Sequence, residues 1–178
     1  MLRQVLASVA ALALAACAAL PKPVSPAGDG GFELQGRVAV RYGSDGASGN
    51  LAWRHSANSD ELLITSFLGQ GVARIRRSGG EVRLFADGKE HRAPDAEALT
   101  EQVLGWRLPL GGLPDWVQGR PAPGGAAEVR RDGADRVVAF VQDQWKVEYQ
   151  AFDGQRPSRL RLTRPNLEIR LIVDQWSG

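Results

Sequence analysis

From Phe32 onward the chain alternates apolar and polar residues with period two. Phe32, Leu34, Val38, Val40 and Tyr42 fall on one face, and Glu33, Gln35, Arg37 and Arg41 on the other. Successive side chains of an extended chain point to opposite sides, so this pattern predicts a strand with one buried face. Gly43-Ser44-Asp45-Gly46 supplies a turn into a second strand, with Leu51 and Trp53 on its apolar face and Asn50 and Arg54 opposite. Leu62 to Phe67 is apolar on both faces, which predicts that something covers each side of it. Val72–Arg77 and Glu81–Ala86 flank the turn Ser78-Gly79-Gly80, and Asp87-Gly88 leads into Lys89–Ala93.

The period then changes. Pro94-Asp95 precedes Ala96, Leu99, Val103 and Trp106 at close to helical spacing, predicting a capped helix that runs to about Gly105. Leu110–Val117 predicts a second short helix with Leu113, Trp116 and Val117 on its apolar side, and a Pro/Gly loop spans Gly119–Gly125. Strands resume at Ala127. Val137, Ala139 and Val141 are assigned to one face. Trp145, Val147 and Tyr149 oppose Lys146, Glu148 and Gln150. Leu160 and Leu162 alternate with Arg159, Arg161 and Thr163, and Leu167, Ile169, Leu171 and Val173 oppose Glu168, Arg170 and Asp174. The sum is a mostly-β chain of roughly eleven strands. Two short helices are too few to cover so large an apolar face, so the expected architecture is an open, strongly curved antiparallel half-barrel with the helices as a lid over an apolar cavity. Alternation assigns Leu34, Val38, Val40, Leu51, Trp53, Leu62, Ile64, Trp145, Val147, Tyr149, Ile169 and Leu171 to the cavity wall.

The segment before the strands has a different logic. Arg3 precedes an apolar run from Val5 to Leu14, too short to span a bilayer, and small residues follow. This is the layout of a secretory signal, and Leu14-Ala15-Ala16-Cys17 resembles the lipobox at which bacterial lipoproteins are cut and acylated. Residues 1–16 are expected to be the signal, Cys17 the lipid attachment point, and residues 17–31, with Pro21, Pro23, Pro26, Gly28, Gly30 and Gly31, a flexible tether to the domain at 32–178. Cys17 is the only cysteine, so no internal disulfide is possible. The chain carries 22 Lys and Arg against 20 Asp and Glu, and the signal takes Arg3 with it, leaving a nearly neutral domain. Neither that balance nor the exported compartment suits nucleic acid.

Chemistry-bearing constellations are missing from the sequence. His55 and His91 stand in separate predicted strands without a second ligand at metal-binding spacing, and neither a Gly-x-Ser-x-Gly elbow nor a phosphate-cradling glycine loop occurs. Asp60 and Glu61 are adjacent in a strand and point to opposite faces, so they cannot converge on one bond. No enzymatic activity and no cofactor are expected. Trp53, Trp106, Trp116, Trp145 and Trp176 are read mainly as core residues, with acyl-chain lining as the functional alternative. In Ser66-Phe67-Leu68-Gly69-Gln70-Gly71, continued alternation puts Leu68 on the cavity side, whereas Gly69 and Gly71 permit a turn that would expose it. The residues alone leave both open.

Phe32–Tyr42 (FELQGRVAVRY), Asn50–Trp53, Thr65–Gly69, Ala98–Pro121 (ALTEQVLGWRLPLGGLPDWVQGRP), Trp145–Tyr149 and Leu171–Trp176 together resemble the LolB family of outer-membrane lipoprotein-localisation factors. The resemblance covers nearly all of the chain after Cys17. It implies an open barrel with a helical lid, a LolA-type periplasmic carrier and acylated lipoproteins as partners, and delivery to the inner leaflet of the outer membrane by a monomer anchored through Cys17. It also implies that Leu68, flanked by Phe67 and Gly69, is a protruding leucine that engages the membrane. Family members can carry a helix ahead of the first strand, where this chain has only its Pro/Gly tether. Ala18 stands where Asp signals inner-membrane retention in enteric bacteria, which favours the outer membrane. Two other classes compete: a structural lipoprotein that scaffolds an outer-membrane assembly, and a lipid hydrolase, which would need a nucleophile and base at the cavity mouth.

Overall fold

The computed structural model describes residues 30–177. The expected signal, Cys17 and most of the tether, together with the question of an N-terminal lid helix, lie outside those residues. The chain forms β1 (Phe32–Tyr42), β2 (Asp45–Ser56), β3 (Ser59–Thr65), β4 (Gly71–Ser78), β5 (Glu81–Ala86), β6 (Lys89–Ala93), α1 (Ala96–Leu104), α2 (Leu113–Trp116), β7 (Glu128–Arg131), β8 (Val137–Gln142), β9 (Trp145–Asp153), β10 (Arg156–Arg164) and β11 (Leu167–Ser177). All the strands belong to one 11-stranded antiparallel sheet in the order β6-β5-β4-β3-β2-β1-β11-β10-β9-β8-β7. The first and last strands pair at its centre, Val38 opposite Leu171 and Val40 opposite Ile169, so each half is a simple meander.

This order explains the placement of the helices. β6 and β7 are the two free edges, and residues 94–127 run from one edge to the other. The segment therefore crosses the concave face of the curled sheet. Asp95 caps α1 by accepting from the Ala98 N–H at 2.6 Å, and Gly105 ends it in the left-handed conformation. α2 is only four residues long, shorter than the expected Leu110–Val117, because residues 110–112 form a turn ahead of Pro114.

Three strand expectations need correction. The strand read as Leu62–Phe67 ends at Thr65, and Phe67 is exposed. Among the described residues nothing covers its convex side: Leu63 is half-buried there beside Arg74 and Phe85. In β8 the assigned face is wrong. Phe140 and Gln142 are buried and face the interior, while Val141 is exposed. The register shift between Arg130 and Arg131 against β7 lets Val137 and Phe140, an odd number of residues apart, both reach the core.

Candidate functional site

Every side chain assigned to the cavity wall is buried, with relative exposures from 0% for Val147 to 9% for Ile64. They form one continuous apolar cluster with Phe32, Ile75, Leu84, Phe140, Leu160 and Leu162. Leu99 of α1, Trp106, Leu108 and Leu110 of the connecting segment, and Leu113, Trp116 and Val117 at α2 belong to the same cluster. The helices by themselves are indeed too few to cover the face, as the sequence suggested. The connecting residues Trp106, Leu108 and Leu110 complete the cover. The structure is thus a closed form, in which lid side chains occupy the apolar face.

The lid is held differently at its two ends. On the α2 side, buried polar groups fix it. The Gln142 carboxamide oxygen accepts from Trp116 Nε1 at 2.9 Å and from the Ala122 N–H at 2.8 Å, and its Nε2 donates to the Ala122 carbonyl at 2.8 Å. The Tyr149 hydroxyl donates to the Trp116 carbonyl at 2.6 Å, and burial pushes that phenol well above its ordinary titration range. Trp116 also packs against Phe140 and Trp145. On the α1 side, Leu99, Trp106, Leu108 and Leu110 pack into the core. Among the described residues the one ion pair from here to the sheet is Arg164 with Glu97 at 3.5 Å, since Arg107 with Glu101 stays within the lid. Thr100 adds one internal tie, accepting from the Leu108 N–H at 2.9 Å, but that bond stays within the lid. Exposed ion pairs are worth little, whereas a buried hydrogen-bonded group is costly to strand. The two ends of the lid thus differ in their polar ties, while buried apolar residues pack both of them onto the sheet.

Glu97 sits at this seam. Desolvation raises its pKa above the ordinary glutamate value, despite the opposing pull of Arg164 and Arg107. A folded-state pKa above the unfolded one means that protonation favours the closed fold. That contribution is complete below the ordinary glutamate value and is lost as pH rises through the raised value. Glu97→Gln, uncharged at every pH, should therefore raise the melting temperature slightly at neutral pH, with the difference vanishing in acid. A lower melting temperature at neutral pH would mean that the ion pairs outweigh burial.

Between β3 and β4 the chain makes a tight loop. The Ser66 N–H donates to the Gln70 carbonyl at 2.8 Å, the Gly69 N–H to the Ser66 carbonyl at 2.9 Å, and the Gln70 N–H to Ser66 Oγ at 3.2 Å. Gly69 has φ +81°, a value its missing side chain permits without strain. The loop throws its apolar residues outward: Phe67 is 67% exposed and Leu68 is 88% exposed. Of the two conformations the sequence left open, the structure adopts the one with a turn. Leu68 does not join the cavity side.

His55 has a structural setting. His55 Nδ1 lies 2.8 Å from Oδ1 of the buried Asp60, which also accepts from Trp53 Nε1 at 3.0 Å and from Arg77 Nε at 2.7 Å. No group of three or more metal-ligating side chains occurs among the described residues. Sequence reasoning missed Gln142 and Asp60, the polar residues that tie down buried tryptophans. Asp60 carried a signal in its place two residues before Leu62, on the apolar face of β3.

A family model described as outer membrane lipoprotein LolB matches residues 30–176. The chain belongs to the LolB family. Outer-membrane lipoprotein LolB of Chromobacterium violaceum is 39% identical over 184 residues, covering 99% of both chains. LolB of Thiobacillus denitrificans is 40% identical over 163 residues, 90% of this chain and 86% of its own. LolB of Nitrosomonas europaea is 44% identical over 154 residues, 83% of this chain and 73% of its own. The match begins close to the first strand and ends inside the last, so family membership rests on the curved sheet and its lid.

Proposed function

We propose that this LolB-family chain takes acylated lipoproteins from a soluble LolA-type periplasmic carrier and passes them to the inner leaflet of the outer membrane. It acts as a monomer anchored through acylated Cys17. The observation that carries the reading is the continuous apolar face covered by a lid whose own apolar side chains complete it. A single methylene of an acyl chain is worth about 0.8 kcal/mol of burial, so one long chain represents on the order of 10 kcal/mol that water does not return. Such cargo must move from apolar surface to apolar surface. In the closed form Leu99, Trp106, Leu108 and Leu110 cover that surface. Cargo that displaces them exchanges one apolar contact for another, so neither a nucleotide nor a catalytic group is required.

Residues 1–16 act as the signal, and residues 17–31 separate the lipid anchor from the domain. Three acyl chains exceed the two signals that stable anchoring needs. Cys17→Ala behind a cleavable signal should therefore yield a soluble periplasmic protein that still accepts acylated peptide from the carrier. A folded variant that has lost all uptake would place the anchor inside the binding site. A scaffold protein would differ in accepting no acylated peptide at all, whether anchored or released.

A further inference from the structure

The convex face of the sheet beside the Ser66–Gln70 loop is graded in polarity along the strands, and β-pairing sorts it into rows. Nearest the tip stand Phe67, Leu68 and the outward-facing Val72, which is 45% exposed. The next row has Leu63 opposite Arg74, Arg74 opposite Phe85, itself 49% exposed, and Phe85 opposite Glu90, whose carboxylate is paired with Arg92. The row behind that is charged: Glu61 opposite Arg76, Arg76 opposite Arg83 and Arg83 opposite Arg92. A groove of about 280 Å³ lies among Leu63, Val72, Arg74 and Phe85, and one of about 490 Å³ continues it past Arg76 and Arg83. Arg76, Arg83 and Arg92 each have a carboxylate, in Glu61, Glu81 and Glu90. Among the described residues Arg74 has none. It is an unpaired cation between the half-buried Leu63 and the exposed Phe85.

We propose that this face is a phospholipid-headgroup surface that sets the depth of the loop in the bilayer, with Arg74 on a lipid phosphate. The inference rests on the reading of Leu68 as a membrane-engaging residue and adds a partner chemistry to it. Rows two residues apart along a strand are separated by about 7 Å. The headgroup region of one leaflet is about 5–7 Å thick. With Phe67 and Leu68 among the acyl chains, the row of Leu63, Arg74 and Phe85 falls at the interface, and the paired arginines of the third row stay at its aqueous edge. Charge complementarity selects the occupant: a lone guanidinium flanked by apolar groups matches an anionic lipid phosphate above hydrocarbon.

The test uses Cys17→Ala protein and vesicles of phosphatidylcholine with or without phosphatidylglycerol. Arg74→Gln should reduce partition onto the phosphatidylglycerol vesicles about fivefold, the worth of about 1 kcal/mol for one cation near an anionic surface, and the effect should fade with added salt. Arg130→Gln, the same charge change on the far edge strand, should reduce it less. A fluorophore on a cysteine at Phe85 should shift to the blue on these vesicles, and one at Val141 should not. Equal binding by Arg74→Gln and wild type, or equal losses for Arg74→Gln and Arg130→Gln, would overturn the assignment. Slower uptake from the carrier with unchanged vesicle binding would make the face a carrier-docking site and overturn it equally. Leu68→Glu separates the two levels. If it leaves partition onto both vesicle types unchanged, the loop reading fails, whereas loss with Leu68→Glu but not with Arg74→Gln removes the headgroup site alone.

Discussion

Leu68→Glu should fold with the wild-type melting temperature, accept cargo from the carrier at the wild-type rate, and stall at delivery to membranes. The leucine is exposed at the tip of a loop whose geometry is fixed by Ser66, Gly69 and Gln70, so the substitution removes no packing. The apolar face that receives cargo is made by other residues and is untouched. Moving an exposed leucine into an apolar phase gains roughly 1.5–3 kcal/mol, and a carboxylate forfeits that gain and adds repulsion from anionic lipid. Delivery to liposomes should fall by about tenfold or more, since about 1.4 kcal/mol is one decade. Leu68→Ala, which keeps a smaller apolar group, should fall between the two. Delivery at the wild-type rate by Leu68→Glu would show that the loop is a solvent-facing turn without a part in insertion.

Gln142→Ala carries the largest expected loss of stability. Its carboxamide is the common partner of Trp116 Nε1, the Ala122 N–H and the Ala122 carbonyl, in a site that is 2% exposed. Truncation strands the buried Trp116 Nε1 at about 1–3 kcal/mol and breaks two bonds to the half-buried Ala122 backbone, part of which a water entering the space would offset. A net loss of about 3 kcal/mol is expected, lowering the melting temperature by about 6–12 °C. Gln142→Leu restores the volume without the hydrogen bonds and should recover little. The lid should also loosen at its α2 end, read as faster hydrogen exchange at residues 113–125. A melting temperature within about 2 °C of wild type would mean that this end is held by packing alone.

The fold was legible to different degrees for identifiable reasons. Where one face of a strand is buried and the other wet, as along Phe32–Tyr42 or Leu167–Val173, alternation assigns every side chain correctly. It fails in β8, where a register shift against β7 changes the phase within the strand and only the pairing partner reveals it. It also fails at the end of β3, because a turn set by Gly69 and Ser66 overrides the apolar run through Phe67. The helix cap at Asp95 and its stop at Gly105 are local signals and were plain. The extended stretch through Trp106, Leu108 and Leu110 was not, since its burial depends on the distant strands that it crosses. At the candidate site, period two found the wall residues. What it could not find was the polar fixing of the lid. Gln142 acts through groups 20 and 26 residues away in sequence, a separation that no local pattern encodes.

Transfer of this kind requires the acyl chain of the cargo to lie against the concave face. A lipopeptide with a photoreactive diazirine at the end of its acyl chain, loaded from the carrier onto Cys17→Ala protein and irradiated, reads that position directly. Adducts are predicted on the concave face, at residues such as Val38, Leu51, Ile64 and Val147, and on the lid residues Leu99 and Leu108 that it displaces. Adducts confined to Phe67, Leu68 and the convex face, with the concave residues unlabelled while transfer proceeds, would contradict it.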